Sequence, residues 1–190
     1  MKSYRVTNIL LVFILLLSGI VHSQERGAEP LNTTTNVVGA QTVHSLVIGV
    51  SDYQEVPSLS YAHNDADLMD GILKTNFAGT SGTHIKLTNQ EASEFAIISS
   101  ILKLNRSIQS GDLFVMYLAG HGDVALGIDG NEQGYFLAYN ASGSREYALG
   151  GSVSFEKINK FINGLTSKGV EVWLITDACR SGKIVNAEGA

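Results

Sequence analysis

The chain contains a single cysteine, Cys179, among its 190 residues. One cysteine excludes an intramolecular disulfide, so a folded domain must rely on its hydrophobic core. The roughly 150 residues from Val43 onward are enough to build one such core. A lone cysteine has three possible roles: buried filler, one half of an intermolecular bridge, or a reactive thiol. Its sequence context has to decide among them.

Positive charge is also scarce, and lysine and arginine form no cluster. The sequence has 13 Lys and Arg residues against 18 Asp and Glu, with a formal net charge of −5 at pH 7. Proteins that bind nucleic acid use basic groups to neutralise phosphates. Nucleic acid is therefore not expected as a partner.

The sequence lacks an apolar run long enough to cross a membrane comfortably. The run from Ile9 to Val21 follows two basic residues, and Val21 and Ser23 are small residues at the spacing of a cleavage site. This pattern predicts a secretory signal peptide over residues 1–23. No cysteine stands at the junction, which excludes a lipoprotein anchor. The mature chain is expected to be periplasmic or secreted, without a membrane attachment after cleavage.

Strand and helix patterns alternate from Thr42 onward, after a polar leader or pro-segment at residues 24–41. Continuous apolar runs predict strands buried on both faces, at residues 45–50, 112–120 and 170–176. A shorter alternating run at residues 83–88 predicts an edge strand, and glycine-rich residues 122–143 predict a hairpin. This order predicts an α/β domain with a mostly parallel central sheet and helices on both faces.

Three helices are predicted between these strands, each with an apolar face. The second is expected to start from a capping box of Thr88 and Glu91. Ser154 is expected to cap the third. The positions predicted to face the core are Ala62, Ala66, Met69 and Leu73 in the first helix, Phe95, Ile98, Ile101 or Leu102, and Ile108 in the second, and Phe155, Ile158, Phe161 or Ile162, and Leu165 in the third.

Polar residues with chemical potential follow all three predicted buried strands. Asp65 stands at a helix start after the first strand, His121 directly follows the second, and Asp177 and Cys179 follow the third. In an open α/β sheet, ligands bind beyond the carboxyl ends of the strands. An imidazole, a thiol and two carboxylates are therefore expected to converge on one edge of the sheet.

A cysteine and a histidine in this position suit acyl transfer. A free thiol is only slightly ionised near neutral pH, so a nearby imidazole is needed to form the thiolate. The backbone N–H groups of Gly122 and Cys179 are candidates for an oxyanion hole, in which each donor contributes about 3 kcal/mol. The competing interpretations are a loop histidine satisfied by the backbone and a cysteine that fills the core. The polar neighbours Asp177 and Arg180 fit the second poorly.

Five segments, in their order and spacing, carry a resemblance to a known family: "LVIGVSDY" (46–53), "AHNDADLM" (62–69), "FVMYLAGHGD" (114–123), "GYFLAYNA" (134–141) and "ITDACRSG" (175–182). With them, residues 42–190 resemble the caspase-like cysteine peptidases of family C14. The similarity is to the large-subunit (p20-like) region of the bacterial caspase-domain and metacaspase branch. A legumain-like or gingipain-like peptidase fits the "DACRSG" turn less well.

The resemblance implies a caspase-like three-layer sandwich and a role for each candidate residue. Cys179 would be the nucleophile, and His121 the general base and acid, oriented by a backbone carbonyl rather than a third side chain. Asp65 and Asp177 would line the pocket for the side chain before the cut bond, since paired carboxylates favour Arg or Lys. The implied function is a cysteine endopeptidase that cuts protein or peptide substrates after Arg or Lys.

Two departures from the family pattern matter. Calcium-dependent members carry paired aspartates where this chain has residues 154–156, so calcium is not supported and no metal or other cofactor is expected. The alternative calcium site is the oxygen-rich "DGNE" (129–132), a pattern that more commonly marks a hairpin turn. The chain also ends eleven residues after Cys179, whereas the family fold continues into a small-subunit segment. Residues 42–190 are therefore expected to be a truncated catalytic domain that needs that segment or a partner. Without either, residues 170–176 would form an exposed apolar edge strand. The alternative function is an inactive or incomplete caspase-like domain that serves as a binding or regulatory module.

Overall fold

The computed structural model describes residues 41–178. The predicted signal peptide, nearly all of the leader, and Cys179 with the residues after it lie outside this range. The elements, in chain order, are β1 (Val43–Gly49), α1 (Ala62–Asn76), β2 (His84–Thr88), α2 (Glu94–Ser107), β3 (Leu113–Gly120), β4 (Gly122–Leu126), β5 (Glu132–Leu137), β6 (Ser152–Ser154), α3 (Phe155–Thr166) and β7 (Glu171–Ala178). Among them, no helix has the length and apolar character needed to cross a membrane.

Four strands form a parallel sheet in the order β2-β1-β3-β7. The central strands β1 and β3 are buried along their whole length, as their continuous apolar sequences predict. The alternating strand β2 lies at one edge, which is also as predicted. The predicted α/β class with a mostly parallel sheet is confirmed.

Helices cover both faces of this sheet because alternate residues of each strand point to opposite sides. On one face, α1 packs on β1 and β3, and Val47 and Val115 belong to the same apolar cluster as Ala66. On the other face, α2 and α3 share a larger cluster with the remaining strand residues, including Phe114 and Leu46. The two clusters bury the apolar faces predicted for α1 and α3.

The start of α2 differs from the sequence prediction. Thr88 makes no capping bond, and instead Ser93 Oγ accepts from the N–H of Ala96 at 3.3 Å. The helix therefore begins later than a Thr88 cap requires, although Ile98, Ile101 and Ile108 pack in the core as predicted. Phe95, predicted to face the core, is 81% exposed, while Ile97 is buried. A short 3-10 turn at Asn89–Glu91 intervenes, which the sequence pattern did not show.

Strand β7 also departs from prediction, because only one of its faces is covered. It pairs with β3 and ends the sheet within residues 41–178. Its side chains alternate between exposed and half-buried, and Trp173 and Ile175 are 44% and 37% exposed. These two lie on the face of α1, which covers β1 and β3 but leaves β7 open. A continuous apolar run therefore did not mean burial on both faces here.

The remaining strands form a small antiparallel sheet in the order β4-β5-β6. The predicted hairpin is confirmed as β4 and β5, and Ser154 caps α3 by accepting from the N–H of Lys157 at 3.3 Å. Phe136 and Val153 bury this sheet against the cluster beneath α2 and α3. The hairpin is thereby fixed directly beyond the carboxyl end of β3.

Candidate active site

The strand register pairs the two residues that come directly before the candidate catalytic positions. Gly120, the last residue of β3, is paired with Ala178, the last residue of β7. His121 and Cys179 are the next residue along each chain segment. The structure describes His121 but not Cys179. The support for the predicted convergence is therefore the pairing of Gly120 with Ala178, the residues that precede them.

The His121 ring is held by a backbone carbonyl group. Its Nε2 atom lies 2.9 Å from the carbonyl oxygen of Pro57. A carbonyl oxygen only accepts, so Nε2 carries the proton and donates this hydrogen bond. In the neutral ring, the other nitrogen, Nδ1, is then the one with a lone pair for a proton. Pro57 thus sets the tautomer of the His121 ring. Among the hydrogen bonds of residues 41–178, none joins a carboxylate to this ring.

Tyr53 supports the same histidine from behind. Its hydroxyl oxygen accepts from the N–H of His121 at 2.8 Å, and the two rings lie 5.1 Å apart at 42°. Gly120 makes this approach possible: it has a φ of 153°, and a Cβ there would lie 2.8 Å from the tyrosine oxygen. Sequence analysis missed Tyr53. The signals for it were its position three residues after a buried strand and its place at the end of the segment "LVIGVSDY" (46–53).

The segment that carries Tyr53 and Pro57 is itself anchored to the sheet. Asn89 Oδ1 accepts from the N–H groups of Ser51 and Asp52, at 2.9 and 3.1 Å. Asn89 has a φ of 45°, a left-handed conformation that asparagine tolerates better than most residues. The chain that leaves β1 is therefore tied to the chain that leaves β2, which fixes the carbonyl that orients His121.

Gly122, a predicted oxyanion-hole donor, has its N–H directed away from its neighbouring strand. Gly122 is paired with Phe136, while the N–H of Leu137 donates to the carbonyl of His121 at 2.9 Å. In an antiparallel ladder this pattern marks Gly122 and Phe136 as a non-hydrogen-bonded pair, whose N–H groups point outward. The second predicted donor, the N–H of Cys179, lies outside the described residues.

The predicted pocket carboxylates, Asp65 and Asp177, lie on α1 and β7. Asp65 is half-buried in the first turn of α1, and Asp177 is exposed near the end of β7. Burial raises the pKa of Tyr117, and the negative charges of Asp65 and Asp177 raise it further. Both carboxylates are thus close enough to the same phenol to act on it. Tyr117, predicted as a core aromatic, is buried.

A second polar network lies on the other side of His121. A cavity of about 280 Å³ is lined by His121, Asp123 and Arg145, among others. Arg145 Nε lies 3.0 Å from Asp123 Oδ2, and the hydroxyl of Tyr147 donates to the same oxygen at 3.2 Å. Arg145 has a φ of 65°, so its backbone is in the left-handed region. Within residues 41–178, no three His, Cys, Asp or Glu side chains are grouped to hold a metal ion.

The buried phenol behind His121 makes a prediction for alkaline pH. Burial raises the pKa of Tyr53 to about 12, against a smaller opposing effect of the His121 N–H. The unfolded value is about 10, so the folded chain holds this proton more tightly and gains stability that is lost as the pH rises from 10 through 12. The advantage of the wild type over Tyr53→Phe in free energy of unfolding should fall by about 2 to 3 kcal/mol over that range. Urea unfolding of both proteins at several pH values measures this, and a constant difference would contradict it.

Comparison with known proteins places this geometry in a family. The family model for the caspase domain, Peptidase C14, matches residues 42–190. The crystal structure of protein GSU0716 from Geobacter sulfurreducens is similar in fold, with a TM-score of 0.59 and 16% sequence identity. That match covers 73% of this chain and 50% of the other, so this chain spans half the length of the protein it resembles. None of the curated proteins matches the chain significantly. The match of the family model over most of the sequence shows that the chain belongs to the caspase-domain family, peptidase C14.

Proposed function

We propose that the protein is a cysteine endopeptidase that uses Cys179 and His121 to hydrolyse peptide bonds after Arg or Lys. The observation that carries the proposal is the β3–β7 register, which pairs Gly120 with Ala178 immediately before these two residues. The Pro57 carbonyl adds to it, because it leaves Nδ1 of His121 as the basic nitrogen. Membership of the peptidase C14 family supports the same reaction class.

The proposed reaction has two steps. His121 takes the thiol proton of Cys179, the thiolate sulfur bonds to the carbonyl carbon of the substrate, and the C–N bond breaks as the imidazolium protonates the leaving amine. Water, deprotonated by His121, then attacks the thioester and releases the acid and the thiol. The N–H of Gly122, directed away from β5, is suited to stabilise the oxyanion of both tetrahedral intermediates. The Pro57 carbonyl holds the ring, and the Tyr53 hydroxyl accepts from the backbone N–H of His121, through both steps.

The proposed preference for a basic residue before the cut bond comes from the paired carboxylates. The negative charges of Asp65 and Asp177 act on the phenol of Tyr117 and, after burial, raise its pKa further above the ordinary value. A guanidinium or ammonium group placed there gains charge-assisted hydrogen bonds, whereas an aspartate would be repelled. The substrate is thus proposed to be a protein or peptide with Arg or Lys at this position. No nucleic acid, metal or other cofactor is part of the proposal.

Fluorogenic peptides with Arg, Lys or Asp before the cut bond test this function. The exported chain, from residue 24 onward, should hydrolyse the Arg and Lys peptides but not the Asp peptide, and Cys179→Ala should abolish turnover. Cleavage after Asp would refute the acidic pocket. A folded sample without turnover of any peptide would mean either that the small-subunit segment is required or that the domain is a binding or regulatory module. The same assay with a C-terminally completed chain separates these two outcomes.

Neutralising either pocket carboxylate should weaken selection of the basic side chain. Asp65→Asn and Asp177→Asn should each lower kcat/KM for the Arg peptide by about ten- to hundredfold, because a charge-assisted contact is worth about 1.5–3 kcal/mol. Steady-state kinetics with the Arg peptide measures the change. Asp67→Asn is the matched control, since Asp67 is on the same helix but pairs with Lys86 on the sheet edge. Equal loss in all three variants would indicate damage to α1 rather than loss of pocket charge.

We also propose that the chain acts after export, in the periplasm or outside the cell. The support is the pattern of residues 1–23, with its basic start, apolar run and small residues before Gln24. Sequencing the N-terminus of the protein from its native host should give a chain that begins at Gln24. A chain that keeps Met1 would contradict export by cleavage.

A further inference from the structure

Three large apolar side chains are exposed together beside the proposed active site. Leu126 and Ile128, at the tip of the β4–β5 hairpin, are 64% and 91% exposed, and Leu149 is 80% exposed. They come from two separate chain segments but line one cavity of about 490 Å³. Single exposed apolar residues are ordinary, whereas several that converge on a concavity mark a binding surface. We call this cavity the hairpin groove.

The hairpin groove shares a wall residue with the cavity beside His121. Arg145 lines both cavities, and Tyr147 in the first is followed by Ala148 and Leu149 in the second. Strand β4 also connects them, since it begins at Gly122, next to His121, and ends at Leu126. The Arg145 guanidinium is held by Asp123 and the carbonyl of Val124, the latter at 3.0 Å. This shared wall is therefore fixed in place and its charge is paired.

We propose that the hairpin groove binds an apolar side chain of the substrate on the C-terminal side of the cut bond. The proposal rests on the proposed peptidase function. A general acid gives its proton to the leaving amine, so the space next to His121 faces the part of the substrate that leaves. Asp65 and Asp177 are assigned to the side chain before the cut bond. Neither is among the described residues that line the space next to His121. His121 thus lies between the site proposed for residues before the cut bond and the site proposed for residues after it.

The length of β4 sets which substrate residue reaches the groove. Its five residues carry the chain from Gly122 to Leu126, a distance of roughly 13 Å at the rise of a β-strand. An extended substrate covers the same distance in about four residues. The apolar side chain is therefore expected at the fourth or fifth residue after the cut bond. The natural substrate would be a polypeptide that is unfolded or looped at this site, since it must lie extended along β4.

Two classes of substrate separate this inference from the proposed function. An Arg-coumarin amide has no residues after the cut bond and reports basal activity alone. Quenched peptides with Arg before the cut, and either Leu-Phe or Ser-Ser at the fourth and fifth positions after it, report the groove. The wild type should prefer the Leu-Phe peptide about tenfold in kcat/KM, which corresponds to about 1.4 kcal/mol.

The variant Ile128→Ser/Leu149→Ser should lose that preference and keep its activity on the coumarin amide. Leu102→Ser is the matched control, because Leu102 is an exposed leucine on α2, at 52%, away from the hairpin. Hydrolysis of the coumarin amide without any preference between the two peptides would overturn the groove and leave the peptidase intact. A dimer in sedimentation velocity that the double variant abolishes, with peptide preference unchanged, would assign the surface to a second copy and also overturn it.

A binding measurement decides the groove even if no substrate is hydrolysed. Fluorescence anisotropy of the labelled Leu-Phe peptide with the Cys179→Ala chain should show about tenfold weaker binding after Ile128→Ser/Leu149→Ser is added. An equal Kd in both chains would overturn the inference. Absence of turnover in a C-terminally completed chain, together with the expected change in Kd, would refute the peptidase and retain the peptide-binding surface.

Discussion

Replacement of His121 by alanine should reduce kcat/KM for the Arg peptide by about 10³- to 10⁴-fold. General acid–base catalysis contributes about 10²- to 10⁴-fold, and here one imidazole would form the thiolate and also protonate the leaving amine. Because both steps pass through the same ring, the loss should lie at the upper end of that range. It should appear in kcat rather than in KM, since His121 lies outside the pocket assigned to the basic side chain.

The fold should survive this change, which makes the measurement interpretable. The His121 ring is half-buried and held by one bond to Pro57, while its backbone N–H bond to Tyr53 remains in the alanine variant. His84→Ala is the control, since His84 begins β2 at the opposite end of the sheet and bonds Ser45. Initial-rate assays of both variants give kcat and KM, and thermal unfolding gives Tm. A wild-type kcat in His121→Ala would refute the proposed dyad of Cys179 and His121.

The sequence predicted the central sheet because its strands have unambiguous environments. Leu46, Ile48, Phe114 and Met116 lie in strands covered on both faces, where every side chain must be apolar. Residues after such strands lie at the carboxyl edge by topology alone, so His121, Asp65 and Asp177 were found without knowledge of their contacts. The apolar spacing of α3 was equally informative, and its Ser154 cap is confirmed.

Predictions failed where a single chain position depends on tertiary contacts. Phe95 fits a helical apolar stripe, but in the first turn of α2 the core takes Ile97 instead and Phe95 is exposed. The apolar run of β7 is the same type of signal as that of β3, yet its neighbours cover only one of its faces. Whether a strand is central or at an edge is a property of the assembled sheet, which local composition does not encode.

The supporting residues of the site were the hardest to predict. Pro57 acts through its carbonyl oxygen, a group that every residue possesses, so its identity carries no signal for that contact. Tyr53 acts through a hydroxyl that reaches a residue 68 positions away. Such contacts depend on the path of the loop after β1, which Asn89 fixes from another loop. Side-chain chemistry identifies a reactive group, whereas its orientation comes from backbone geometry.

The second large effect is expected at Gly49, the last residue of β1. A Cβ there would lie 2.5 Å from Ala66 Cβ and would also meet the carbonyl oxygen of Ala62. Both contacts are with α1, and the second is with backbone, so a side-chain rotation cannot relieve them. Gly49→Ala should therefore lower the free energy of unfolding by about 3 kcal/mol, near the upper end of the usual overpacking cost. Urea unfolding monitored by circular dichroism measures it.

Gly71→Ala is the matched control, because it makes the same substitution within α1 where a Cβ meets no atom within 4 Å. Alanine is the better helix former, so this variant should be more stable by about 0.5 to 1 kcal/mol.

An unchanged free energy of unfolding in Gly49→Ala would show that α1 has room to move from β1. If α1 instead shifts outward, it carries Asp65 away from Asp177. Gly49→Ala should then lose activity on the Arg peptide through KM at temperatures where it is still folded, since close packing of α1 on β1 is what brings the two carboxylates to the same phenol.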